Sequence, residues 1–282
     1  MAVRGPGPAG KYARNGESMA HRVLAGTPGP GNVILDLDGC LYVDDEAVPG
    51  ARRALEVLMG AGLRLVFATN NSTKTATVVA ERVEQIVGIR VDPAAVVTSA
   101  MAAASMLTDH DRPVLAIGER GLADTISAAG LALTDDPAAA RAVVVGLDRG
   151  ISYERLQRAS HAVLLGARFI GTNPDATFPT RGVPDPGAGS IIAAVERAGG
   201  RAPEYAGKPH DPMRRCVEAL LGSGPTWVVG DRAETDLAFG GTGGWTTVLV
   251  MTGVTRDASA ADPQPNHVLD SVAGLASLIL RD

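Results

Sequence analysis

Lysine is nearly missing from this sequence. It occurs only as Lys11, Lys74 and Lys208, and the remainder of the 26 basic side chains are arginine. Each lysine position is therefore unusually informative. Cysteine is just as sparse. Cys40 and Cys216 are far apart and form no CxxC pair, which excludes a disulfide framework or a structural zinc site and fits a reducing cytoplasm. No Lys/Arg run is present and the formal net charge is −5, so composition argues against a nucleic-acid partner. No apolar run approaches the roughly 20 residues that a membrane helix needs, and the N-terminus lacks the apolar centre of a signal peptide, so no membrane role is expected. The absence of GxSxG and HExxH removes the serine-hydrolase and zinc-protease readings.

What is present is ordinary for a globular chain able to bury a sizeable core: 45% hydrophobic and 20% charged residues over a length of 282. Residues 1–30 are Gly- and Pro-rich without periodicity and read as a flexible tail. After them, short β-branched runs at 33–37, 64–68, 95–98, 114–117, 142–146, 168–171, 226–229 and 247–250 alternate with Ala-rich segments. In those segments, such as 51–59, 76–86 and 153–165, apolar residues recur at helical spacing. This alternation predicts an α/β fold with a Rossmann-like parallel sheet covered on both faces. The middle section lacks acidic strand ends and leaves through the Gly/Pro-rich "RGVPDPGAGS". It reads as an inserted α/β lobe at 101–183, with the core divided into 31–100 and 184–282.

In parallel α/β sheets, ligands bind beyond the carboxyl ends of the strands. Three polar clusters occupy such ends: Asp36 and Asp38 after the first run, Thr69-Asn70-Asn71-Ser72 after the second, and Gly230-Asp231 after "TWVV". With Asp236 these carboxylates share one edge. Two unit charges about 4 Å apart repel by about 4 kcal/mol at an effective dielectric near 20, so the group needs a cation or raised pKa values. An all-oxygen, hard donor set suits Mg²⁺, which in turn suggests phosphoryl chemistry. One aspartate can attack phosphorus, and a second on the same face two residues later can serve as acid and base. The Thr69 hydroxyl, backbone N–H groups near Asn70 and the Lys208 ammonium can supply donors for the phosphoryl group.

The motifs "DLDGCL" (36–41), "FATNNS" (67–72), "AGKPHDP" (206–212) and "VVGDRAETD" (228–236), in that order, resemble the four motifs of the haloacid dehalogenase superfamily of phosphatases. The long insert with "GTNPDATFP" (171–179) and "PGAGS" (186–190) resembles the subfamily with a large α/β cap, which includes NagD-like and p-nitrophenyl phosphatase enzymes. The resemblance implies Asp36 as nucleophile and Asp38 as acid and base. It implies Mg²⁺ held by the carboxylates of Asp36 and Asp231 and the carbonyl of Asp38, with Asp236 supporting the metal's water shell or the lysine. Thr69 and Lys208 would bind the phosphoryl group, Asn70 and Asn71 would shape its loop, and Asn173, Asp175 and Phe178 would belong to the substrate loop of the cap. Two departures stand out: Cys40, where many relatives have Thr, and the bulky, glycine-rich "LAFGGTGGW" (237–245).

The expected activity is Mg²⁺-dependent hydrolysis of small phosphate monoesters, of the p-nitrophenyl phosphate, glycerol phosphate or nucleoside monophosphate type. A small polyol phosphate is preferred, and Phe178 disfavours pyridoxal phosphate. A phosphotransferase or mutase on the same fold, and a phosphometabolite-binding protein with an idle site, remain as alternatives. Caps of this kind also imply a homodimer. Asp44, Asp45 and Glu46 read as a solvated acidic loop, and His210 as a helix-start residue rather than a ligand. Gly207-Lys208 is no Walker loop, because Pro209 holds the Ser/Thr position.

Overall fold

Two parallel sheets organise the chain in this computed structural model, which describes residues 31–178 and 183–281. The segment 1–30 lies outside the described residues. The strands in chain order are β1 (Asn32–Leu35), β2 (Tyr42–Val43), β3 (Glu46–Ala47), β4 (Arg64–Thr69), β5 (Val96–Thr98), β6 (Val114–Ile117), β7 (Ala142–Val145), β8 (Arg168–Gly171), β9 (Thr177–Phe178), β10 (Asp185–Pro186), β11 (Glu204–Tyr205), β12 (Thr226–Gly230), β13 (Thr246–Val250) and β14 (His267–Leu269). The larger sheet runs β14-β13-β12-β1-β4-β5 and the smaller one β11-β8-β7-β6. Every pairing within these two sheets is parallel.

Successive side chains of a strand face opposite sides, and here both sides are apolar. In β1, Val33 and Leu35 enter one core while Ile34 enters another; in β12, Trp227 and Val229 oppose Val228 in the same way. That double burial is why the strands read as continuous apolar runs rather than alternating ones. The helix Ala51–Gly60 supplies Leu55 and Leu58 to the first core, and Ala76–Val87 supplies Val79 and Val83. Thr75 caps the latter helix by accepting from the Val78 N–H.

The second core joins the two sheets. Ile34 and Val66 from the larger sheet share it with Val114, Val144 and Ile170 from the smaller, across the helices Ser99–Ser105 and Asp211–Glu218. Ala100, Ala102, Ala103 and Ala104 are buried in the first of these helices. Their small side chains let it fill the narrow gap between lobes. The outer face of the smaller sheet carries Leu115, Val143 and Phe169 under the helices Tyr153–Leu164 and Ala188–Gly199.

The last point corrects the second boundary read from the sequence, which returned the chain to the core at 184. The helix Ala188–Gly199 packs on the smaller sheet and β11 joins its edge, pairing with β8. The segment that builds this sheet therefore continues to Tyr205. The Gly/Pro-rich stretch is a connection inside it, carrying the β9–β10 pair, rather than an exit. The glycines in "LAFGGTGGW" also find a reason. A Cβ on Gly240 would lie 2.3 Å from Thr247 Cγ2, and one on Gly243 2.4 Å from the Trp245 ring. Phe239 is fully buried there, with its ring edge-on to Trp245 at 5.4 Å.

Among the described residues no helix is long and apolar enough to cross a membrane. The lobes meet closely where the helix Arg120–Ala128 begins. The Gly121 N–H donates to the Thr73 carbonyl, and a Cβ on Gly121 would stand 2.4 Å from the backbone of Thr73 and Lys74. Gly121→Ala is expected to destabilise the protein by about 1–3 kcal/mol through this overpacking, measured as a lower urea midpoint at unchanged slope. An unchanged midpoint would show that the contact has room to give.

Candidate active site

β1 is the point where strand order reverses: the chain moves outward through β4 and β5 on one side, then restarts at β12 on the other. A crevice opens at such a point, beyond the carboxyl ends of the strands. Here it is a cavity of about 400 Å³, and all the residues singled out in the sequence border it: Asp36, Asp38, Thr69, Asn70, Asn71, Asn173, Asp175, Phe178, Lys208, Asp231 and Asp236.

Lys208 lies at its centre. Its ammonium donates to Asp36 Oδ1 at 2.6 Å, to Asp236 Oδ1 at 2.7 Å and to the Ala68 carbonyl at 2.8 Å, so all three protons are used. The side chain is 3% exposed. Burial alone would favour the neutral amine, but the charges of Asp236 and Asp36 outweigh it and hold the lysine protonated. Its backbone is fixed as well: Asn70 Oδ1 accepts from the Lys208 N–H at 2.8 Å, and Asn70 Nδ2 donates to the Lys208 carbonyl at 3.2 Å.

Asn70 also reaches into the smaller lobe. Its Nδ2 donates to Asp175 Oδ2 at 3.1 Å, and its carbonyl accepts from Asn173 Nδ2 at 2.7 Å. The loop after β4 is closed by local turns: the Asn71 N–H donates to Thr69 Oγ1, and Asn71 Oδ1 accepts from both the N–H and the hydroxyl of Thr73.

Oxygens of Asp36, Asp231 and Asp236 lie within 4.8 Å of one another, a group able to hold a metal ion. This set contains Asp236 where the sequence reading had the carbonyl of Asp38. Both Asp236 oxygens are already engaged, Oδ1 by Lys208 and Oδ2 by the Arg232 N–H at 3.1 Å. Asp231 Oδ2 accepts from the Val254 N–H, while no bond to its Oδ1 or to Asp36 Oδ2 occurs among the described residues. Two glycines make room for Asp231. A Cβ on Gly39 would lie 2.5 Å from Asp231 Oδ2, and one on Gly253 would overlap it. Gly39 also has φ +87°, which a side chain would oppose.

The electrostatics follow from crowding. Burial, then the charge of Asp236, pushes the Asp231 carboxyl up to about 7, partly offset by the Val254 N–H, Arg232 and Lys208. Burial also raises Asp36 well above the usual carboxylate range, and the neighbouring Asp236 and Asp231 add to this against the opposing Lys208. Asp38 is raised by burial as well, with Arg82, Lys208 and Lys74 drawing it down. A cation would relieve all three.

Several cavity residues escaped the sequence reading. Asp44 and Asp45, taken as a solvated loop, border the cavity because the β2–β3 hairpin turns back at Asp44, whose φ is +52°. Asp45 is still largely in solvent, its side chain 85% exposed. Arg82 holds this hairpin, donating to the Asp44 carbonyl at 2.7 Å, pairing with Asp45 at 3.0 Å and standing over the Tyr42 ring. Arg149 and Arg232 also border the cavity from distant parts of the chain; no motif contains Arg149, and Arg232 lies within "VVGDRAETD" but was given no role there. His210 occupies the helix-start position expected of it, at the N-cap of Asp211–Glu218.

The chain is similar to known proteins over most of its length. A family model for haloacid dehalogenase-like hydrolases matches residues 33–132, and a second HAD-hydrolase-like model matches 205–275. Dihydroxyacetone phosphatase of Corynebacterium glutamicum is 37% identical over 249 residues, covering 86% of this chain and 90% of that protein. The p-nitrophenyl phosphatase from Archaeoglobus fulgidus superposes with a TM-score of 0.80 at 31% identity, covering 89% of this chain and 100% of that one. Glycerol phosphate phosphatase from Mycobacterium tuberculosis, solved in complex with magnesium, gives a TM-score of 0.77 at 30% identity, covering 88% and 78%.

The chain belongs to the haloacid dehalogenase-like hydrolases. Within them it lies in the NagD-like branch that includes the p-nitrophenyl phosphatases, and it is a phosphatase.

Removing Lys208 leaves Asp36 and Asp236 facing each other in a buried site. Lys208→Met is expected to cost about 3–5 kcal/mol near pH 8. The loss should be smaller near pH 5. In the variant the Asp36 carboxyl, already raised by burial, loses the opposing lysine and rises further above its unfolded value, so the penalty grows with pH and fades where Asp36 can take up a proton. Urea denaturation at the two pH values checks this; an equal loss at both would place the origin in packing instead.

Proposed function

We propose that this phosphatase hydrolyses small phosphate monoesters through an aspartyl-phosphate on Asp36, with Mg²⁺ as its cofactor. The observation that carries the reading is the Lys208 ammonium bonded at once to Asp36 and Asp236 beside Asp231. That contact orients one oxygen of the nucleophile and leaves the other toward the cavity.

A carboxylate oxygen of Asp36 attacks phosphorus in line with the ester oxygen. The new P–O bond forms as the old one breaks, and Asp38 gives its proton to the departing alkoxide. The raised pKa of Asp38 suits a group that must hold a proton before it transfers one. Asp38 then takes a proton from water, whose oxygen attacks the aspartyl-phosphate and releases inorganic phosphate, restoring Asp36. Thr69 and the backbone N–H at Asn70 bind the phosphoryl oxygens as charge develops on them, Asn71 holds the loop in shape, and Lys208, its three protons held within the protein, contributes its positive charge beside them.

The donor set fits Mg²⁺: hard carboxylate oxygens on Asp36 and Asp231 and the Asp38 carbonyl would hold it, while Asp236, both of whose oxygens are bonded to Lys208 and the Arg232 N–H, would not bind it directly. When bound, the ion neutralises the crowded carboxylates and polarises the phosphoryl group. Asn173 and Asp175 tie the cap loop to Asn70, and Phe178 supplies an apolar wall over the ester. A three-carbon substrate is supported by the relatives named dihydroxyacetone phosphatase and glycerol phosphate phosphatase. Two free cysteines, Cys40 buried and Cys216 partly exposed, are consistent with action in the cytoplasm.

Phosphate release from p-nitrophenyl phosphate and from glycerol phosphate tests the reading. Turnover is expected with Mg²⁺ and no acceptor added, is expected to vanish in EDTA, and is expected to fall by at least about 10³-fold in Asp36→Asn. Turnover that needs an added acceptor would indicate a transferase. Near wild-type activity in Asp36→Asn would overturn the nucleophile.

A further inference from the structure

Among the described residues both lysines, Lys74 and Lys208, border the active-site cavity, and only Lys208 has been given a role. Lys74 is the other. It is half-buried on the loop that follows β4, one residue before the cap residue Thr75. Among the described residues its ammonium makes no hydrogen bond or ion pair.

That sets it apart from the other cations on the cavity wall. Lys208 is held by Asp36 and Asp236. Arg82 pairs with Asp45 at 3.0 Å, and Arg149 forms a fork on Glu119 at 2.7 and 2.9 Å. Arg232 donates to the Thr177 carbonyl at 3.3 Å and lies 3.9 Å from Asp175. Among the described residues, four of the five cations that line the cavity are therefore bonded directly to protein groups. A half-buried ammonium on a cavity wall that no protein group bonds directly is free to take an anionic group of a ligand.

The root of the side chain is fixed. Thr73 is bonded to Asn71, and Gly121 packs against the Thr73–Lys74 backbone. Lys74 shares the cavity wall with Asp38, the group that serves the leaving alcohol in the reading above, and with Leu147 and Arg149 of the smaller lobe.

We propose that Lys74 binds a second anionic group of the substrate, remote from the ester phosphorus, so that the enzyme favours phosphate esters of small hydroxy acids or small bisphosphates over neutral polyol phosphates. The inference rests on the phosphatase reading above and narrows its substrate class. It replaces the neutral polyol phosphate preferred from the sequence. Lysine suits the role as a compact point charge that a carboxylate or a phosphate can satisfy equally.

The test compares kcat/KM of the Mg²⁺-loaded full chain for a phosphoglycerate, for glycerol phosphate and for a glycerol bisphosphate. The first two differ in having a carboxylate or a hydroxymethyl group at the same carbon. Wild type is expected to favour at least one of the two esters with a second anionic group over glycerol phosphate by about tenfold or more. The preferred ester shows whether carboxylate or phosphate is the natural partner. Lys74→Met is expected to bring that ratio close to one, mainly through a higher KM for the anionic ester, while Lys74→Arg retains most of it. Equal use of all three esters by wild type, or an unchanged ratio in Lys74→Met, would overturn the proposal while leaving the phosphatase reading intact. Failure to hydrolyse any of them or p-nitrophenyl phosphate would remove both readings.

Discussion

One buried ammonium and the carboxylates around it set the terms for the rest of this structure. Asp36, Asp231 and Asp236 stand at adjoining strand ends with little access to water, and each unpaired charge there repels its neighbours by several kcal/mol. Lys208 answers two of them directly and relieves the third, Asp231, only slightly, so the need for a further cation is greatest there. The site is thus stable in a restricted set of charge states.

The same lysine couples the two lobes. Its backbone is clamped by the Asn70 side chain, which also meets Asp175 and Asn173 at the end of the smaller sheet. The loop that shapes the phosphate pocket is therefore wedged between both sheets. Gly121, Gly146 and Gly207 keep this wedge tight, since a Cβ at each would collide with the loop or with its partners. The shared core of Ile34, Val66, Val144 and Ile170 lies beneath the wedge. Site geometry thus inherits its rigidity from packing rather than from the loops themselves.

Much of this was legible along the chain because both sheets are buried on both faces. Runs such as Val33-Ile34-Leu35 and Ala142-Val143-Val144-Val145 have no polar side and announce parallel strands. The acidic ends Asp36, Asp38 and Asp231 followed from the rule that ligands sit past strand ends. The two-residue strands β2, β3, β9, β10 and β11 are too short to carry a period, and β14 is only partly buried. β11 in particular joins the smaller sheet through backbone pairing that no side-chain pattern records, and this displaced the boundary read near 184.

The sequence by itself determined the fold class, the strand-end carboxylates and the importance of Lys208, because burial and charge are properties of residue type and spacing. Only the tertiary structure decided which charges meet. Arg82, Arg149 and Arg232 reach the cavity from separate elements and take up Asp45, Glu119 and Asp175, while Lys74 on the same wall makes no hydrogen bond or ion pair among the described residues. Counter-charges are matched in three dimensions over a few ångströms, while their sequence separations range from tens of residues to more than a hundred. No linear pattern carries that information.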